Sequence, residues 1–147
     1  VFDSARNHLE TSMRLNREVG DAWMVAIGHN NLGNATRGLG DLAAAREHYG
    51  AAFAAYRDYD DRWAMAFLLE DMGILAARAG DSTAAFEALG AASKMRDEID
   101  APRAPALEEE LATALADTRA TLGEDGATAA IERGRARGDP GQWRDWA

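Results

Sequence analysis

Three histidines, His8, His29 and His48, are the first side chains to weigh for chemistry. Imidazole is the commonest transition-metal ligand and a general base near neutral pH. The three fall in three different predicted helices, and His8 and His48 occupy equivalent positions of a 40-residue repeat. No pair has the spacing that sets two ligands and a carboxylate on one helix face. Packed or solvated imidazoles are therefore expected, with no metal and no cofactor. Cysteine is absent, which removes thiolate nucleophiles, disulfides and thiolate zinc sites together. None of the four serines lies in a Gly-x-Ser-x-Gly context. The pair Gly38 and Gly40 follows a helix rather than a strand, so it reads as a helix end and not as a phosphate loop. No catalytic set remains, and the chain is not expected to be an enzyme.

The charged clusters read mainly as helix electrostatics. Glu108, Glu109 and Glu110 suit the positive end of a helix dipole, and Arg133, Arg135 and Arg137 suit a negative end. Glu110 is also a candidate for ligand contact. The chain carries 16 basic and 25 acidic residues, a net charge of −9 with a pI near 4.7. A nucleic-acid backbone would be repelled, so no direct nucleic-acid binding is expected.

These residues must be positioned by helices. Alanine occurs 33 times in 147 residues, against 7 Val and Ile together, which favours helix over sheet. The longest apolar run, Trp63 to Leu69, is far shorter than the ~20 residues of a membrane helix, and no secretory signal pattern opens the chain. A cytoplasmic location without membrane contact is expected. Fifteen of the sixteen basic residues are Arg, a usage associated with GC-rich bacterial genomes. Residues 21–60 laid over 61–100 match at 13 of 40 positions, with Trp23/Trp63, Gly33/Gly73 and Gly40/Gly80 in register. Gly-Asp or Asp-Asp pairs punctuate at half that period: a left-handed residue ends one helix and Asp caps the next. The spacing predicts helices over 3–19, 22–38, 42–59, 62–79, 82–98, 104–121 and 124–137. The organisation is a half repeat 1–20, repeats 21–60 and 61–100, a divergent stretch 101–137, and a tail 138–147 holding Trp143 and Trp146. With no Met before Val1, the chain reads as a piece of a longer protein, beginning inside a repeat.

Asn31-Leu32-Gly33-Asn34, Gly40-Asp41, Ala45, Tyr49 and Ala52, and again Met72-Gly73, Gly80-Asp81, Ala85, Leu89 and Ala92, resemble the tetratricopeptide repeat. The period is 40 rather than the family's usual ~34. His29 and Leu69 stand where the family has Trp. The longer period and the Asp-x-Trp opening are similar to the C-terminal helical region of actinobacterial LuxR-like and antibiotic-regulator-like signal-transducing regulators. So is the stretch from Arg119 to Arg135. This resemblance implies an all-α, right-handed superhelical solenoid of antiparallel helix hairpins. It also implies a protein- or peptide-binding module within a larger bacterial signalling or transcriptional regulator. The alternative is a sensor for a small peptide or small molecule.

In such solenoids the first helix of each repeat lines a concave groove. Trp23, Ile27, Asn30, Asn34 and Arg37 share that stripe in one repeat. Trp63, Phe67, Glu70, Ile74 and Ala77 share it in the next, with Arg78 adjacent, and Glu110, Thr113 and Asp117 in the last. Asn would hold a peptide backbone, while Arg37, Glu70, Glu110 and Asp117 would select charge. The apolar stripe Phe2, Ala5, Leu9 and Met13 of the first helix, with Val19 beyond it, is expected to favour self-association, either with a second copy of itself or with Trp143 and Trp146 of a neighbour.

Overall fold

The computed structural model describes residues 1–18 and 20–137; Val19 and the tail 138–147, with Trp143 and Trp146, lie outside the described residues. The described residues form helices and turns, with no strand among them. The helices are α1 (Phe2–Glu18), α2 (Ala22–Gly38), α3 (Leu42–Asp58), α4 (Arg62–Arg78), α5 (Ser82–Glu98), α6 (Pro105–Ala114), α7 (Ala116–Leu122) and α8 (Glu124–Ala136).

The 20-residue punctuation has a single local cause, repeated. Gly20, Gly40, Asp60, Gly80 and Asp100 all adopt positive φ, between 51° and 85°. Around all five the same pair of backbone bonds closes the helix end: Gly20 to Arg17 and Asp21 to Asn16, Gly40 to Arg37 and Asp41 to Thr36, Asp60 to Arg57 and Asp61 to Tyr56, Gly80 to Ala77 and Asp81 to Ala76, Asp100 to Asp97 and Ala101 to Arg96. These bonds satisfy carbonyls that a helix end otherwise leaves open. The next residue then caps the following helix, as Asp21, Asp41 and Asp81 accept from the backbone N–H of Met24, Ala44 and Ala84. Asp60 and Asp100 carry a Cβ through a region that penalises one. Asp100→Gly should therefore raise stability by roughly 0.5–1 kcal/mol. Its urea midpoint should rise; an unchanged or lower midpoint would mean that the turn carries no such strain.

The described residues divide into two compact units, 1–61 and 62–137. In the first, α2 packs against both α1 and α3. Tyr49 of α3 is fully buried over Gly33, where a Cβ would lie 2.3 Å from its ring. Met13 of α1 packs likewise over Gly28, and Phe2 over Gly38. The apolar stripe of α1 thus turns toward α2, although Phe2 keeps 47% exposure.

In the second unit α4 packs on α5, and α5 packs on α8. Gly73 lets α4 approach Ala85 of α5: a Cβ there would sit 3.0 Å from the Ala85 carbonyl oxygen. Between α5 and α8 the backbones nearly touch, through Gly90 against Ile131 and Gly134 against Glu87. The helix expected over 104–121 is broken. Leu115 leaves helical geometry, with φ −107° and ψ 6°. Its side chain is buried in a cluster with Ala85, Phe86, Ala127 and Ala130. The break turns α7 so that it contacts α5 and α8, whereas α6 stays beside α4.

Candidate functional site

The residues expected to line one groove fall on both units. In the first, Trp23 is 42% exposed, and its indole N–H donates to Asp61 Oδ2 at 3.2 Å. Asn30, Asn34 and Arg37 are half-buried. The Asn34 side-chain oxygen accepts from the Tyr49 hydroxyl, so that oxygen already serves the packing of α2 on α3. A cavity of about 400 Å³ lies beside this stripe, walled by Val25, Ala26, Ala51 and Ala55 with Arg17, Asp21 and His29 at its polar edge.

His29 and His48, separate in the sequence, meet with their Nδ1 atoms 3.1 Å apart. His29 Nε2 lies 3.4 Å from Arg17 Nη2, and since a guanidinium only donates, that ring nitrogen accepts. This assigns the proton of His29 to Nδ1, where it is donated to Nδ1 of His48. A second proton on His29 would face Arg17. Burial first, then His48 and Arg17, lower its pKa to about 4. Burial also lowers that of His48, against the opposing pull of Glu47, Glu10 and Asp41 and with added repulsion from Arg17. Among the described residues no three metal-ligating side chains come together.

Both rings are neutral in the folded protein at pH 7, and unfolding releases them to an ordinary pKa near 6.5. The stability they protect is complete above pH 6.5 and is lost as pH falls toward 4. Each ring contributes at most ~1.4 kcal/mol per pH unit, the linkage slope for one proton. Urea midpoints measured from pH 7.5 to 4 should fall more steeply for the native chain than for His29→Gln. Parallel curves would show that the pair does not govern this window.

The second unit holds the larger cleft, about 920 Å³, between the start of α4 and one face of α6. Trp63 and Phe67, one helical turn apart on α4, form its aromatic wall, with ring centroids 4.4 Å apart and planes tilted by 58°. Trp63 is 57% exposed. Ala106, Glu109, Glu110, Thr113 and Ala114 form the facing wall, at the spacing of one helix face. Ala101 and Pro102 close one end.

The floor is a buried ion cluster. Arg96 binds Glu70 with two bonds, Nε to Oε1 at 2.7 Å and Nη2 to Oε2 at 3.0 Å, and donates a third to the Ala101 carbonyl at 3.0 Å. Arg103 reaches the same Glu70 carboxylate, and also the Leu89 carbonyl, Ser93 Oγ and Glu108. The Arg96 guanidinium lies over the Phe67 ring, 4.4 Å from its centroid. Planar stacking with bidentate bonding is what Arg does and Lys cannot. The wall is therefore held rigidly: Trp63 on Phe67, Phe67 on Arg96, Arg96 on Glu70, Glu70 on Arg103.

Trp63, Phe67, Glu110 and Thr113 are thus brought to one site. Glu70 is corrected: it is 2% exposed and saturated by two guanidiniums, so it positions the wall and offers no charge to a partner. Asp117 lies on α7, past the break at Leu115, exposed but outside the cleft. Arg78 is exposed on the last turn of α4, also outside it. Arg133 and Arg137 are tied to the buried Glu87 at 2.9 and 3.3 Å, and Arg135 to Asp97 at 2.7 Å, so this basic run serves internal pairing. Sequence reasoning missed Arg96, Arg103 and Glu109. The Pro102-Arg103 pair just before an acidic helix was the available signal for Arg103. No helix among the described residues is long and apolar enough to cross a membrane. In comparison with protein-family models, curated proteins and solved structures, the chain matches none.

Proposed function

We propose that the chain is a protein- or peptide-binding module and that the cleft between α4 and α6 is its recognition site. The observation that carries this reading is the exposed Trp63 on a wall fixed from below by buried ion pairs. A rigid, half-exposed Trp in a concave site loses little entropy on contact and is the residue type most often dominant at interfaces. The repeat organisation supports a solenoid of tetratricopeptide type. The resemblance to bacterial signal-transducing regulators supports a place in the regulatory part of a larger cytoplasmic protein. There a bound segment would bias the attached modules by its differential affinity for their states. The small-ligand alternative finds its support in the first unit, where the cavity of about 400 Å³ falls in the range of small-molecule sites.

The test is selection of binders from a random peptide display library, followed by measurement against Trp63→Ala. Loss of a dominant anchor costs about 2 kcal/mol or more, roughly 30-fold in affinity. Helicity should be unchanged, because Trp63 lies outside the buried core. A selection without binders, or binders indifferent to Trp63, would overturn the reading.

A further inference from the structure

The cleft is selective in charge, and its own construction shows the sign. One cation, Arg96, is in its lining, and Arg103 lies behind it on the same Glu70 carboxylate. Arg96 is 4% exposed and directs its bonds to Glu70 and the Ala101 carbonyl. Arg103 is likewise occupied, by Glu70, Glu108, Leu89 and Ser93. Three of the five N–H donors of Arg96 and four of those of Arg103 are thus taken within the protein, and both side chains are nearly buried. On the opposite wall Glu109 and Glu110 are exposed, and no described residue forms an ion pair with either. With Arg96 and Arg103 balanced by Glu70 and Glu108, these two carboxylates leave the cleft negative, within a chain of net charge −9.

The aromatic wall points the same way. Aromatic faces attract cations, and Phe67 already carries a guanidinium on its ring. Trp63, the better cation acceptor of the two, is the ring left open to solvent. A ligand with an apolar stem and a cationic head would lay the stem along Trp63, as long basic side chains do on apolar surface, and send the head toward Glu109 and Glu110. Arginine fits better than lysine, since its planar head both stacks on indole and forks to a carboxylate.

We infer that the cleft takes an arginine side chain presented by an extended segment of a partner protein, held between Trp63 and the Glu109 and Glu110 carboxylates. This rests on the proposed recognition role of the cleft and adds the chemistry of what is recognised. The segment is committed to as a peptide because the cleft is open and its length along α6 exceeds one side chain, from Ala106 to Ala114.

The experiment uses the whole 147-residue chain and a set of peptides identical except at one position, which is Arg, citrulline or Glu. Flanking residues come from the display selection, and binding is followed by the indole N–H resonances and by anisotropy. The Arg peptide should bind at least tenfold tighter than the citrulline peptide, its neutral isostere, and the Glu peptide should be weakest. Glu109→Gln with Glu110→Gln should remove most of the Arg preference, and Glu109→Lys with Glu110→Lys should reverse it toward Glu. Both positions are exposed, so these variants should keep the fold, and unchanged circular dichroism would establish that they do. Peptides that bind through Trp63 with no charge preference would overturn this inference and leave the recognition role standing. Free arginine amide binding as tightly as the peptide would overturn the peptide as the source. No binding by any peptide of the set would overturn both.

Discussion

Glu70→Ala should cost about 3–5 kcal/mol, enough to unfold a protein whose total stability lies in the usual range of ~5–15 kcal/mol. The loss comes less from the missing bonds than from what they leave behind. Arg96, at 4% exposure, would remain buried without a counter-charge, and Arg103, with a side chain at 8%, would keep only Glu108 at 3.3 Å. Among the described residues no buried side-chain nitrogen or oxygen lacks a partner, so the native network has no defect to absorb the change. Denaturant midpoints of Glu70→Ala, Glu70→Gln and the triple replacement Glu70→Leu, Arg96→Met, Arg103→Met separate the causes. The triple variant should recover most of the lost stability, because replacing a whole buried ion cluster by apolar side chains is often neutral. It should nonetheless lose ligand binding, since Phe67 and Trp63 would no longer rest on a fixed guanidinium. A Glu70→Ala chain as stable as the native one would show that water reaches the cluster.

Gly134→Ala is the second large effect. A Cβ at Gly134 would lie 1.9 Å from the Glu87 carbonyl oxygen, and one at Gly90 would lie 2.1 Å from that of Ile131. The obstructing atoms are backbone, so α5 and α8 must move apart as helices. Overpacking typically costs about 1–3 kcal/mol and sometimes more. The gain in helix propensity, about 1 kcal/mol, offsets only part of it. Moving α8 would also loosen Arg133 and Arg137 from Glu87. Gly126→Ala is the control on the same helix: the nearest atoms to its Cβ belong to one side chain, Leu122, with Cγ at 2.9 Å, and not to the backbone of another helix. That variant should be near neutral. Equal urea midpoints for Gly134→Ala and Gly126→Ala would show that the two helices are not in backbone contact.

Much of the helical plan was legible because its causes are local. A left-handed residue followed by a capping Asp needs only neighbouring atoms, and Gly40-Asp41 and Gly80-Asp81 announce it in the chain. Helices α2 and α5 therefore begin and end where the spacing put them. Leu115 breaks the sixth helix without Gly or Pro, inside Ala114-Leu115-Ala116, and only the tertiary demand of its cluster explains it. Glu70 illustrates the same limit at the site. A carboxylate on a groove stripe reads as solvent-facing until its partners are known, and these lie 26 and 33 residues away in the sequence. Neither Arg96 nor Arg103 repeats at the 40-residue period, so the register that located Trp63 gave no hint of what lies beneath it. The His29–His48 contact escaped for a similar reason, since a pairing across α2 and α3 leaves no mark on either helix alone.

The close contact of α5 with α8 also sets an order of events in folding. The turns that join α2 to α3 and α4 to α5 are three residues long, residues 39–41 and 79–81. Each of these pairs closes a short loop, and chains rich in such near-neighbour contacts form them on microsecond to millisecond timescales. The α5–α8 pair instead joins residues 46 positions apart, as Arg133 and Glu87 are, and must wait for α6 and α7 to be threaded between. Its contacts are expected to form after those of the two near-neighbour pairs. A clash placed at Gly134 should leave the refolding rate nearly unchanged and appear almost entirely as faster unfolding.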